Sequence, residues 1–403
     1  MQVYFPSSFL WGAALSSYQC EGQNYNCDWY LWEKEKGLEP AAKACDHYRL
    51  YRSDFELARQ LNLNSLRISL EWSRIYCDPD TALQKEIAHY WQVLDTLQEL
   101  KIKPLVTLHH FTNPLWFAGK GGWLVSRNID YFLKYLCKTV EALRDKVDTW
   151  LIFNEPLVYI YNGFIEGIWP PGKKSISDAK KVLSNIEAAY IEGYQHIKRI
   201  YRNEGKEVRV SLAKNLRDFL PEPGIKKPLN SLAAAARSYL FNFYLLDRLA
   251  KRDCLDFLGI NYYCREYDRF KGLLGAECKD VVGGPRKNAL GWYVNSQSFY
   301  KLLIKLKKYY LPIIITENGT AEEKEYFYEQ YLTSHLESVS RAILEGVNIK
   351  GYLWWSLMDN FEWDKGFWPR FGLLELDYSN FGRRIKPFAR LYAKVCKEGR
   401  FES

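Results

Sequence analysis

The chain has 403 residues, 47% of them hydrophobic and 16% aromatic, and a formal net charge of +8. That is ample for a large core, and α/β barrels run long as one unit, so a single domain over residues 1–403 is expected. Lys and Arg are spread along the chain without a block of like charge, which reads as a solvated basic surface and argues against a nucleic-acid partner.

In chain order, short apolar runs alternate with longer segments that are apolar at helical spacing. The runs are "FLWGAALSS" (9–17), "SLRISL" (65–70), "KPLVTLHH" (103–110), "TWLIFNEP" (149–156), "EVRVSLAKN" (207–215), "LDFLGINYY" (255–263), "PIIITENG" (312–319) and "IKGYLWWSL" (349–357). Between them lie patterns such as "YRLYRSDFELARQLN", "DYFLKYLCKTVEALRD" and "EQYLTSHLESVSRAILEG". Strands buried on both faces read as continuous apolar runs, and parallel strands need helical crossovers. Eight such β-then-α units predict a closed (β/α)8 TIM barrel. Residues 264–295 are irregular and Gly-rich and read as a long loop after the sixth strand.

Nine cysteines (Cys20, Cys27, Cys45, Cys77, Cys137, Cys254, Cys264, Cys278 and Cys396) include no C-x-x-C pair. Scattered thiols suit a reducing compartment, and no clustered ligands suggest a metal site. The N-terminus lacks a basic stretch followed by an apolar one, and no segment nears the roughly 20 apolar residues of a membrane helix. A cytoplasmic protein without a membrane partner is expected; self-association is left open.

In a barrel of this kind the active site lies at the C-terminal strand ends. Polar residues gather there. Gln19 follows the first run, His109 and His110 end the third, and Asn154 and Glu155 the fourth. Asn261 and Tyr263 end the sixth and Glu317 and Asn318 the seventh, while Asp359, Asn360 and Glu362 follow the eighth. Two carboxylates on opposed strands, Glu155 and Glu317, with many aromatics and no metal ligands, suit cleavage of a glycosidic bond. One acid protonates the leaving oxygen, and the other attacks the anomeric carbon or activates water. The two must hold a proton with unequal affinity, so their surroundings should differ.

These motifs carry a resemblance. "FLWGAALSSYQCEG", "LRISLEWSRI", "GGW", "FNEP", "FLGINYY", "ITENG" and "WWSLMDNFEW…RFGL" follow the order of glycoside hydrolase family 1, and the likeness covers nearly the whole chain. The resemblance implies a cofactor-free, exo-acting, retaining β-glycosidase, of β-glucosidase type with β-galactosidase or β-fucosidase side activity, working on a small-molecule β-glycoside through a covalent glycosyl-enzyme. It implies that Glu155 is the acid/base and Glu317 the nucleophile, with Arg67 and Tyr263 against Glu317. A guanidinium there is expected to lower the nucleophile's pKa. Gln19, His110, Asn154, Asn261 and Glu362 correspond to polar sugar-pocket residues, Trp355 and Trp363 to its aromatic walls, and Trp292 to the leaving-group side. Where the family shows Tyr-His-Trp-Asp this chain has "HHFT", with Phe111 and Thr112, and Leu157 stands where Trp often follows "NEP". The alternatives are a transglycosylase using the same pair, a 6-phospho-β-glycosidase, an endo-acting glucanase and a non-catalytic sugar-binding barrel. Glu362 argues against the phosphosugar because a carboxylate repels phosphate.

Overall fold

The computed structural model describes residues 2–224, 226–271, 276–277, 281 and 284–402. Cys278 lies outside them, and the eight described cysteines are free thiols. Every apolar run forms a strand: β1 (Leu10–Ala14), β2 (Ser65–Ser69), β3 (Lys103–His109), β4 (Thr149–Asn154), β5 (Arg209–Pro221), β6 (Leu258–Arg269), β7 (Ile313–Asn318) and β8 (Ile349–Trp355). Each pairs in parallel with the next, and β8 closes on β1 with Trp355 opposite Ala14.

Helices make the crossovers. Ile129–Leu143, between β3 and β4, buries Ile129, Phe132, Leu133, Leu136, Val140 and Leu143, the three-four spacing of an inward helical stripe. Helices cover the outer face of the barrel, and side chains fill its inside. Leu105, Leu151, Ala213, Phe257, Ile314 and Leu353 form one inner layer, with Leu10 against it. This double coverage is why the runs are continuously apolar. Gly12 is required where β1 meets β2, because a Cβ there would lie 2.2 Å from the Ser65 carbonyl oxygen.

The region after the sixth run departs from the loop expected in its first part, while residues 281 and 284–295 hold no strand or helix, as expected. β6 continues to Arg269 and pairs with β5 out to Pro221, and Ala276–Glu277 folds back antiparallel on Asp268 and Arg269. A ribbon therefore rises from the barrel rim. Its covered face holds Glu266 and Asp268, paired with Arg217 and Arg237, so the buried side is ionic and gives no apolar signal. At the opposite margin Gln2–Tyr4 pairs antiparallel with Arg400–Glu402, joining the chain ends. Among the described residues no helix is long and apolar enough to cross a membrane.

Candidate active site

A cavity opens at the C-terminal ends of the strands. Three non-glycine residues of its wall have left-handed backbones: Phe111 (φ 72°), Glu155 (φ 43°) and Trp363 (φ 53°). Such conformations cost about 1–3 kcal/mol each and persist only where the surroundings enforce them. At Glu155 the reason is visible. Its N–H still bonds the Ala213 carbonyl as a strand residue at 2.8 Å, while its own carbonyl accepts from Val158 in the helix opened by Pro156. The chain turns from strand to helix within that one residue.

Glu317 is 3% exposed and held by charge. Arg67 Nη1 donates to its Oε1 and the Tyr263 hydroxyl to its Oε2. Arg67 is itself fixed from two sides, donating from Nε to Thr107 Oγ1 at 3.0 Å and from Nη2 to Asn154 Oδ1 at 2.7 Å. Glu155 is held by amides, accepting at Oε1 from Asn261 Nδ2 at 2.7 Å and from Asn215 Nδ2 at 3.0 Å. Asn261 also donates to Asn154 Oδ1, so one network links the two carboxylates.

The expected depression of Glu317 is not what results. Burial pushes its carboxyl up to about 7, the Arg67 guanidinium and the Tyr263 hydroxyl pull it down, and Glu155 pushes it up again. Desolvation of a carboxylate outweighs one guanidinium. Glu362 behaves alike: burial, Glu317, Asp364 and Glu155 raise it to about 8. His110 is driven well below its ordinary value by burial and by Arg67, and so is neutral. Its Nε2 lies 3.0 Å from Asn154 Nδ2, a contact met with the ring proton on Nδ1.

Gln19 Nε2 donates to Glu362 Oε2, Asn360 Oδ1 and the Phe361 carbonyl, while Gln19 Oε1 and His110 Nδ1 are buried with no hydrogen-bond partner among the described residues. Both residues line the cavity, and orphaned polar atoms there are positions for hydroxyl groups. Trp355 and Trp363 lie near-parallel to His110, at 24° and 20°. Trp292 packs on Tyr263 and Phe371 across the mouth.

Most of the residues singled out from the sequence come together here, but Arg67 and Asn261 sit beneath the cavity and not on its lining. Other strand-end residues turn away: His109 to Asn113, Asn318 to Tyr262 and Tyr331, and Asp359 to Gly372 and Lys386. Thr112 donates to both oxygens of buried Glu71, and Leu157 packs into the core. Beside Phe111, Trp169 completes the wall at 5.0 Å, with its Nε1 donating to Asp364. Sequence reading missed Trp169, Asn215, Arg217 and Glu266, all of which line the cavity. The strand-end rule would have found Asn215, which ends the fifth run.

A closed barrel whose mouth gathers two differently held glutamates, neutral polar groups and indole walls is the architecture of a glycoside hydrolase. The profile described as Glycosyl hydrolase family 1 matches residues 1–251 and 242–401. Beta-glucosidase A of Thermotoga maritima is 31% identical over 440 residues, covering 99% of each chain. Among solved structures, the beta-glycosidase from Pyrococcus horikoshii superposes with a TM-score of 0.93 at 35% identity, covering 100% of this chain and 97% of that one. The Thermotoga maritima β-glucosidase in complex with deoxynojirimycin gives 0.90 at 28% identity, covering 99% and 100%. The chain belongs to glycosyl hydrolase family 1.

Proposed function

We propose that the chain removes a terminal β-linked sugar, glucose foremost, from a small β-glycoside, and that it works by double displacement. The observation that carries this reading is the unlike support of two glutamates in one cavity: cation and phenol on Glu317, amides on Glu155. Glu317, oriented at both oxygens, attacks the anomeric carbon while Glu155 gives a proton to the departing oxygen. Water then enters, Glu155 takes its proton, and the bond to Glu317 breaks with configuration retained. Asn154, anchored through Arg67, faces the 2-hydroxyl. Gln19, His110 and Glu362 grip the outer hydroxyls, and Trp355 and Trp363 take the apolar sugar face. Gripping those outer hydroxyls closes the far end of the hollow, which favours exo action on a chain end. The names of the relatives, glucosidases and a glycosidase, support the same substrate class.

The test is direct. Glu317→Ala and Glu155→Ala should each lower turnover of an aryl β-glucoside at least about a hundredfold. Azide should restore the first by entering the space of the missing carboxylate. NMR of the first-formed sugar should show the β-anomer. Wild-type turnover in Glu317→Ala, or an initial α-anomer, would overturn the reading.

A further inference from the structure

Outside the β5–β6 ribbon stand the helix Lys227–Ser238 and the π-helical turn Tyr239–Phe243 that continues it. Their large aliphatic side chains lie on the outer side. The face toward the barrel carries only small apolar residues, Ala233 and Ala234, before Phe241 meets Phe219 in the turn, and polar anchors hold it: Asn230 Nδ2 donates to the Glu222 carbonyl at 3.0 Å, Arg237 pairs with Glu266 and Asp268, and Asn242 Nδ2 donates to the Arg217 carbonyl at 2.8 Å. The outer face is Leu229, Leu232, Ala235, Ala236, Tyr239 and Leu240, one stripe at helical spacing. Its large members are 46%, 66%, 50% and 49% exposed for Leu229, Leu232, Tyr239 and Leu240. A helix on a globular protein ordinarily turns its apolar stripe to the core, and a contiguous exposed one marks an interaction surface.

The charges beside the stripe select the partner. Lys226 and Lys227 are exposed at its N-terminal end, where the helix dipole is also positive. From Pro223 to Leu246 the chain holds no Asp or Glu. A second copy of this helix would thus bring no carboxylate to those lysines, whereas an anionic lipid layer offers charge and hydrocarbon together. We propose that this helix seats the enzyme on an anionic lipid surface, lying in the headgroup layer with Leu229, Leu232 and Leu240 toward the acyl chains. This is attachment in the plane of the surface, not a span. Through Arg237 and Asn242 the helix is tied to Glu266 and Arg217 of the cavity wall, so the mouth would open beside that surface.

The experiment is co-sedimentation of the full chain with vesicles of equimolar phosphatidylglycerol and phosphatidylcholine, and with pure phosphatidylcholine. The protein should partition onto the anionic vesicles and fall off as salt is raised. A Leu232→Glu/Leu240→Glu variant and a Lys226→Glu/Lys227→Glu variant should each bind at least about tenfold more weakly. Turnover of a soluble aryl glucoside, unchanged in both, shows that they are folded. Equal binding by the variants, or no binding by the wild type, would overturn the proposal. So would a dimer in sedimentation velocity that the Leu232→Glu/Leu240→Glu variant converts to monomer, for then the stripe's partner is another copy.

Discussion

At Glu317 two demands collide. In the role proposed for it Glu317 must be ionised to attack, yet burial raises its carboxyl to about 7. Activity should therefore be lost as pH falls through about 7, in the acid limb of kcat/KM, and that limb belongs to Glu317 together with its neighbour Glu362. Tyr263 donates to the ionised form and holds the value down. In Tyr263→Phe the limb should move to higher pH by about one unit, the worth of one hydrogen bond to a charged group. A pH profile of aryl glucoside hydrolysis in both proteins checks it, and an unmoved limb would show that the phenol does not favour the carboxylate. Glu362 supplies a second test. Its folded value of about 8 lies above the ordinary 4.5, so its ionisation opposes folding. The penalty is absent below about pH 4.5 and complete above about pH 8. Glu362→Gln should therefore raise Tm increasingly across that window, leave it unchanged at the acid end, and raise KM through loss of the grip on the sugar proposed for it. That Glu155 and Glu317 meet at one cavity was legible in the sequence because strand ends are; the direction of Glu317's shift was not, because it depends on how much water the folded wall removes.

At the scale of the element, the strands were legible and their extensions were not. Eight apolar runs placed eight strands because both faces of a parallel barrel strand are covered. The outward ribbon of β5 and β6 buries carboxylates against arginines, a pattern that resembles a loop when read as hydropathy. The helix after β5 hides in the other direction: its stripe has helical spacing, but sequence alone does not say that the stripe faces outward. Trp169 comes from the irregular chain after β4, where no period points anywhere. Where a strand end must sit close to its neighbour, the letter is informative again. Gly319 follows β7, and a Cβ on it would fall 2.1 Å from the Trp355 carbonyl oxygen at the end of β8. Backbone, not a flexible tip, would have to move. Gly319→Ala should cost about 1–3 kcal/mol of stability. It should also lower kcat, since β7 carries Glu317 and β8 carries Trp355. Urea unfolding and steady-state kinetics measure the two; a variant with wild-type kcat would show that the strand ends move independently of Glu317.

At the scale of the whole molecule, a barrel holds only if its last strand stays on its first, and here that seam is braced by buried charge. Asp54, on the helix between β1 and β2, accepts from Arg383 and lies 2.7 Å from His47. Arg383 belongs to the hairpin of Leu374–Asp377 and Gly382–Ile385 that follows β8, and its Nη2 also reaches the Cys45 carbonyl. Next to it Asp359 accepts from the Gly372 N–H at 2.8 Å and from Lys386 Nζ at 2.7 Å, just before the last helix, Pro387–Glu398. Burial raises the Asp359 carboxyl and Lys386 is the main force lowering it. Lys386→Met should leave a fully buried carboxylate with only the more distant Arg370, 3.7 Å away, a loss toward the lower end of about 3–5 kcal/mol at neutral pH. The sign with pH is fixed by which form is stranded. Without Lys386 the folded value rises further above that of the unfolded chain, so the deficit grows as pH climbs above the ordinary aspartate range and shrinks as Asp359 takes up a proton. Tm of the two proteins should thus converge in acid and diverge toward neutrality. Because the seam joins the strands that lead to Gln19, Trp355 and Glu362 into one wall, aryl glucosidase activity should be lost at the same temperature as the far-ultraviolet circular dichroism signal in both. A deficit independent of pH would mean that Lys386 serves by its packed methylenes and not by its charge.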